Sequence, residues 1–276
     1  MRKRSLLAVA VVLFLPRLAF AWGNFGHQLI GELAQSRLNA KANARVLTLL
    51  ASNEKCPATP ELRSMGDVAS LPDDWRNEES SEITADWHFV NIAITQPKYD
   101  EARDCPTGDC VVRRIERMRA VLRDPARSAC EQKDALIYLV HFVGDIHQPL
   151  HTGFGRTASG EPDRGMNLVK VLLDGQETNL HSAWDTALIR RQQCSEAQWM
   201  RHLRADVIPA LNVAQANDLS EVDWVNESHV EAIHAHVADK TALSDAYIRS
   251  ANAVIEKRLA LAAVRLASVL NDLLGN

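Results

Sequence analysis

The chain lacks an uncharged apolar run long enough to cross a bilayer. About 20 residues are needed for a core of about 30 Å, and the run from Leu6 to Leu15 is roughly half that. No stable membrane association is therefore expected. There is also no Pro/Gly/Ser-rich linker, internal repeat or low-complexity tract that would divide the chain into domains. An excess of basic residues is missing too: the formal net charge is −4. Cysteine is sparse, with five in 276 residues.

The short apolar run does have a meaning. It follows Arg2, Lys3 and Arg4 and precedes the small residues Ala19 and Ala21, the pattern of an export signal cut after Ala21. Residues 1–21 are thus expected to be a signal peptide, and 22–276 a single domain of 255 residues with one sizeable core. The product is expected to be secreted or periplasmic. Arg2, Lys3, Arg4 and Arg17 leave with the signal, so 27 Lys and Arg face 35 Asp and Glu, a formal charge of −8. That is the wrong sign for a basic nucleic-acid groove. Attraction to a polyanion would have to be local, and bound metal cations are its natural source.

Cys105 and Cys110 are close enough to close a small disulfide loop, as suits an exported chain. Spacing does not pair Cys56, Cys130 and Cys194, and one of them is left over in any scheme. No second close pair accompanies 105 and 110, so a zinc site built from cysteine is not expected.

Helical periodicity dominates from His27 onward. His27 to Leu38 places Leu29, Ile30, Leu33 and Ala34 on one stripe, and Val111 to Leu122 does the same with Val112, Ile115, Met118 and Leu122. Lys133 to Ile146 is apolar almost all round, which predicts a central buried helix stopped by Pro149. Leu243 to Leu274 reads as a long closing helix ended by Gly275. Only His88 to Ile94 and Leu168 to Leu173 alternate well enough for short strands, forming a small surface hairpin. The expected fold class is all-α with a minor β element.

The chemistry lies in the histidines and aspartates. His141 and Asp145 stand four apart on the central helix, and His181 and Asp185 repeat that spacing, so each pair leaves its helix on one face. Imidazole with carboxylate suits zinc, and such groups on an apolar helix need a compensating partner. Either pair alone also reads as a core histidine bonded to a carboxylate. Two pairs, with His151 just beyond Pro149, favour metal.

Taken together, five segments resemble the single-strand-specific zinc nucleases of fungi, plants and bacteria, in family order. They are Trp22-Gly-Asn-Phe-Gly-His27, Ala69-Ser-Leu-Pro-Asp73-Asp-Trp-Arg76, Trp87-His88-Phe89, His141-Phe-Val-Gly-Asp145-Ile-His-Gln-Pro-Leu-His151, and Asn179-Leu-His181-Ser-Ala-Trp-Asp185. The region after about residue 190 matches only as helical scaffold.

The resemblance implies three zinc ions. One is held by Asp73, His88, His141 and Asp145, a second by His151, His181 and Asp185, and a third by His27, Asp145 and the amino group and carbonyl of Trp22. It implies hydrolysis of single-stranded DNA and RNA to 5′-phosphorylated products by a metal-activated water, with removal of 3′-phosphates from nucleotides. Asp73 would orient the water and Arg76 would steady charge on the phosphoryl group. Phe89 resembles the aromatic on which a base stacks. Asn91 stands where the fungal enzymes carry an aspartate, so base preference does not transfer. Asn167, in Asp-Arg-Gly-Met-Asn, resembles the last residue of the family's Gly-Gly-Asn, with Met166 replacing the second glycine.

Other residues read as scaffold. His147 belongs to the core or supports the ligands, while His202, His229, His234 and His236 are expected at the solvated surface. Trp75, Trp87 and Trp184 are packing residues near the cluster, and Asn226-Glu-Ser is a sequon if the host glycosylates exports. The chain is expected to be a monomer. The alternative enzyme is a zinc phospholipase C, which shares a related helical fold but has glutamate where this chain has Asp185. A non-catalytic zinc-storage or nucleic-acid-binding module is the third reading.

Overall fold

The computed structural model describes residues 22–52, 62–76 and 82–275. The expected signal peptide and Cys56 lie outside the described residues. Among those described, no helix is long and apolar enough to cross a membrane.

The protein is mainly helical, as its periodicity predicts. Helix α1 (Gly23–Gln35) buries Leu29, Ile30, Leu33 and Ala34, and α2 (Ala40–Leu50) follows, capped by the Asn39 side chain. Short helices α3 (Met65–Val68) and α4 (Leu71–Trp75) lead to a 3₁₀ segment, Glu82–His88. After α5 (Glu101–Asp104), Cys105 and Cys110 form the expected disulfide, with Cα atoms 5.8 Å apart. Cys130 is also disulfide-bonded, and Cys194 is free and exposed.

Helix α6 (Val111–Arg123) lies beside α7 (Ala129–His147), the centre of the molecule. Helix α7 begins with a capping box between Ser128 and Glu131, which satisfies two orphan N–H groups of its first turn. From Leu139 to His147 every residue is buried, because neighbouring helices cover it on several sides. It stops at Gln148, since Pro149 cannot continue the hydrogen-bond ladder, and a 3₁₀ turn (Pro149–His151) follows. Gly144 lets α1 approach: a Cβ there would lie 2.7 Å from Nδ1 of His27.

The β element is a three-stranded sheet. Strand β1 (Lys170–Leu173) pairs antiparallel with β2 (Gln176–Asn179), and β3 (Thr241–Ala242) pairs parallel on its other edge. Asp174 and Gly175, both at positive φ, make the hairpin turn. The second expected strand, His88 to Ile94, does not form. Its alternation is real, with Val90 and Ile92 buried and Asn91 exposed, yet it runs beside an irregular loop. Val90 bonds the carbonyl of His151, and Ile92 and Ile94 exchange bonds with Phe154. An alternating pattern specifies two-faced burial, which a loop clamped to the core supplies as well as a sheet does.

Beyond β2, a helical stretch is interrupted by a π turn: α8 (Leu180–Ser182), Ala183–Ala187, then α9 (Leu188–Arg191). After α10 (Glu196–His202) comes a second π turn, then α11 (Ile208–Ala210), α12 (Val213–Asn217) and α13 (Glu221–Ala235). Helix α14 (Asp245–Leu274) is capped by Ser244 and ends at Gly275. The sequon residue Asn226 lies within α13, where its side-chain oxygen accepts the backbone N–H of Tyr99 at 2.9 Å.

Candidate metal centre

Helix α7 supplies the middle of the site. His141 and Asp145, one turn apart, are both fully buried, and His141 Nε2 lies 3.1 Å from Asp145 Oδ2. His88, at the end of its 3₁₀ segment, brings Nδ1 to 2.9 Å from His141 Nε2 and 3.1 Å from Asp145 Oδ2. Asp73, in the first turn of α4, sets Oδ1 3.6 Å from His88 Nδ1 and 3.7 Å from His141 Nε2. From α1, the ring of His27 stacks on that of His141, centroids 4.1 Å apart, and its Nε2 faces the other oxygen of Asp145 at 3.5 Å.

A second group adjoins the first. His181 Nε2 and Asp185 Oδ2 are 3.3 Å apart across the π turn, and the His151 and His181 rings lie 5.1 Å apart. Three sets of buried ligand atoms converge within 4.8 Å: His88, His141 and Asp145; His27, Asp73 and His141; and His151, His181 and Asp185.

The orientation of several rings is held from outside the cluster. His141 Nδ1 donates to Ala69 O at 2.7 Å, His151 Nδ1 to His88 O at 2.8 Å, and His181 Nδ1 to Gly165 O at 2.5 Å. A carbonyl only accepts, so each Nδ1 carries a proton, leaving Nε2 as the nitrogen available to the cluster. Meanwhile His27 Nε2, Asp145 Oδ1 and Asp185 Oδ2 are buried with no hydrogen-bond partner among the described residues. Orphaned buried donors and acceptors of mixed nitrogen and oxygen type fit zinc.

The electrostatics agree. Burial lowers His27, His151 and His181 to about 4 and His88 to about 3, so these imidazoles are neutral and able to donate a lone pair. Burial also acts to lower His141, but the carboxylates of Asp145 and Asp73 outweigh it and raise His141 to about 9. Burial pushes Asp73 up to about 7 and Asp185 well above the usual carboxylate range. Burial acts to raise Asp145 as well, yet the neighbouring His141 holds it far below that range. A divalent cation would favour the ionised form of all three carboxylates.

Trp22 is fully buried at the head of α1, in the left-handed region with φ 44. Its indole N–H donates to Gly144 O at 2.8 Å, and its backbone N–H bonds the Asp185 carboxylate. The structure thus gathers Trp22, His27, Asp73, His88, His141, Asp145, His151, His181 and Asp185 into one region. Arg76 stands beside it, one turn after Asp73, with Nη2 3.5 Å from Asp73 Oδ1. Phe89 is half-buried and Asn91 exposed on the segment leaving His88. Asn167 turns its amide to Arg164 O at 2.9 Å, on the loop whose Gly165 carbonyl orients His181. Met166 is buried with φ 64, a conformation glycine adopts freely and methionine only with strain.

Two residues carry more than the sequence suggested. His229, expected at the surface, is fully buried, with its ring nitrogens each 2.8 Å from a carbonyl, Thr152 O and Gln96 O. The signal was available: Trp224, Val225, Ser228, His229 and Ala232 form one helical stripe. Gln148, passed over inside its motif, is also fully buried and bonds Asp185. By contrast, His202 lies between Asp206 and Glu256, and His234 is exposed, as expected.

The chain is similar in sequence to known nucleases along most of its length. Endonuclease 3 of Arabidopsis thaliana is 29% identical over 96% of this chain and 93% of its own length. Nuclease P1 of Penicillium citrinum is 27% identical over 92% of this chain and 98% of its own length. Nuclease S1 of Aspergillus oryzae is 29% identical over 66% of this chain and 60% of its own. Residues 22–275 match the family described as S1/P1 nuclease, a span that begins at Trp22 and takes in every residue of the buried cluster, and the chain therefore belongs to that family.

Proposed function

We propose that the protein is an exported zinc-dependent endonuclease that hydrolyses single-stranded DNA and RNA to 5′-phosphorylated products and removes 3′-phosphates from nucleotides. Membership of a nuclease family supplies the reaction class. The observation that carries the finer reading is the two-sided use of Asp145: Oδ2 faces His88 and His141, while Oδ1 faces His27. A carboxylate so placed suits two neighbouring cations.

Three zinc ions are assigned. Asp73, His88, His141 and Asp145 hold one; His151, His181 and Asp185 hold another; His27, Asp145 and the amine and carbonyl of Trp22 hold the third. Cleavage after Ala21 would free that amine. When bound, zinc supplies Lewis acidity and brings a coordinated water to a pKa of about 7.

The chain's own residues do the rest. Asp73, a buried carboxylate of the cluster, orients the attacking water. Arg76 meets the charge that develops on the phosphoryl oxygens. Phe89 offers a half-buried ring for a base to stack on, and only an unpaired, unstacked base can reach it, which gives the single-strand preference. Asn91 and Asn167 supply polar contacts to the bound nucleotide. The enzyme acts as a monomer, free of membrane, in the periplasm or outside the cell. The whole-length match to nucleases favours this reading over a phospholipase C.

The test is turnover on single-stranded DNA, RNA, a 3′-nucleotide and phosphatidylcholine, before and after chelation and with zinc restored. Zinc-restored cleavage of the nucleic acids and release of phosphate from the 3′-nucleotide are expected, with none of the lipid. Full activity after removal of metal would refute the mechanism.

A further inference from the structure

Gln148 occupies the point where α7 stops and the turn carrying His151 begins. It is fully buried, and both ends of its amide are used. The backbone N–H of Leu150 donates to Oε1 at 2.5 Å. An N–H only donates, so that end must be the oxygen, and the opposite end is the NH₂ group. That group donates to Oδ1 of Asp185. The other oxygen, Oδ2, is left buried without a hydrogen-bond partner among the described residues and faces His181 Nε2 at 3.3 Å.

We propose that Gln148 is a positioning residue that decides which oxygen of Asp185 is offered to metal, and so sets zinc affinity at the site of His151, His181 and Asp185. The proposal rests on the zinc reading above. One amide ties Asp185 to the turn that holds His151, while His151 is held on its other side by the His88 carbonyl. Two ligands from separate segments are thereby placed in one frame. Without that donor, the Asp185 carboxylate is left with the Trp22 backbone N–H and is freer to rotate. Groups that orient metal ligands in this way typically account for 10- to 100-fold in affinity.

Two substitutions separate this role from simple support of the turn. Gln148→Glu keeps an acceptor for the Leu150 N–H but removes the donor and sets a second carboxylate against Asp185. Gln148→Met removes both functions at similar size. The measurements are zinc content by elemental analysis, zinc affinity by competition with a chromophoric chelator, and melting of zinc-loaded and metal-free protein. In Gln148→Glu one zinc is expected to bind 10- to 100-fold more weakly, the others as in wild type, with zinc-loaded protein losing more of its melting temperature than metal-free protein does. Gln148→Met should show the same zinc defect, and if it fails to fold, Gln148→Glu decides alone. Gln148→Glu binding every zinc with wild-type affinity would overturn the proposal, as would an equal fall in melting temperature with and without metal. A wild-type chain that takes up no zinc overturns the metal reading itself, and this proposal with it.

Discussion

Arg76 and Phe89 flank Asp73 and His88 in the chain but reach the site with different chemistry. Arg76 is pinned near Asp73 Oδ1 at 3.5 Å, at the edge of the buried cluster, where a guanidinium fork can meet phosphoryl oxygens. Arg76→Ala should lower kcat by roughly 10²-fold, since preorganised donors aimed at developing charge are worth that much. Phe89→Ala should instead raise KM for oligonucleotides, by an amount on the order of the 1–3 kcal/mol stacking contribution. Neither should lose zinc. Steady-state kinetics with metal analysis checks both; wild-type kcat in the first, or unchanged KM in the second, would reduce that residue to scaffold. The two His/Asp pairs of the buried cluster were legible from i,i+4 spacing, and its other members from the family resemblance. Gln148 was not, because a glutamine before proline has no distinctive pattern until its two partners are seen.

Between elements, a buried polar tie joins α7, α13 and α14. Arg258 and Arg265, seven apart and so on one face of α14, are both buried, and both donate to Glu227 of α13 at 2.8 Å. Arg265 also donates to His147 Nε2, whose Nδ1 donates to Val143 O, so His147 is a neutral structural residue, as expected. Burial acts to raise the Glu227 carboxyl, but the hydrogen bond from Arg265 and the charges of both arginines bring it down to about 2 from its usual 4.5. A lowered carboxyl stabilises the fold above pH 4.5, and that stability, about 3 kcal/mol, is lost as pH falls towards 2. Glu227→Gln leaves two buried guanidiniums without their carboxylate and should cost about 3–5 kcal/mol at neutral pH. Measured on chelated protein, so that metal release plays no part, the gap between wild type and Glu227→Gln should narrow between pH 4.5 and 2. A gap constant across that range would show that the ionised carboxylate is not what joins the helices.

At the scale of the whole molecule, the cluster draws its side chains from α1, α4, the 3₁₀ segments, α7, α8 and the π turn, most of them distant in the chain. Metal that binds this folded arrangement and not the open chain must stabilise the fold. Chelation should therefore lower the melting temperature, while a metal-free form melting with the zinc form would remove that role. The proposed cleavage after Ala21 bears on the same site, because Trp22 is buried against Gly144 and Asp185. A variant retaining one extra residue before Trp22 should lose one zinc and activity but keep its helical content. Three zinc ions and a normal rate in that variant would exclude the terminal amine as a ligand.

The sequence by itself determined the helical class, the central α7, the close disulfide and which histidines and aspartates meet in the buried cluster, because periodicity, spacing and motif order are local properties written along the chain. Only the tertiary structure decided the rest. It turned His88 to Ile94 from a strand into a loop clamped by residues 151 to 154. It also buried His229 between two carbonyls and kept Met166 in the left-handed backbone that a glycine would adopt. The physical reason is common to all three: each depends on which carbonyl, helix face or loop from a remote segment lies opposite, and alternation, residue type or helical spacing alone does not name that partner.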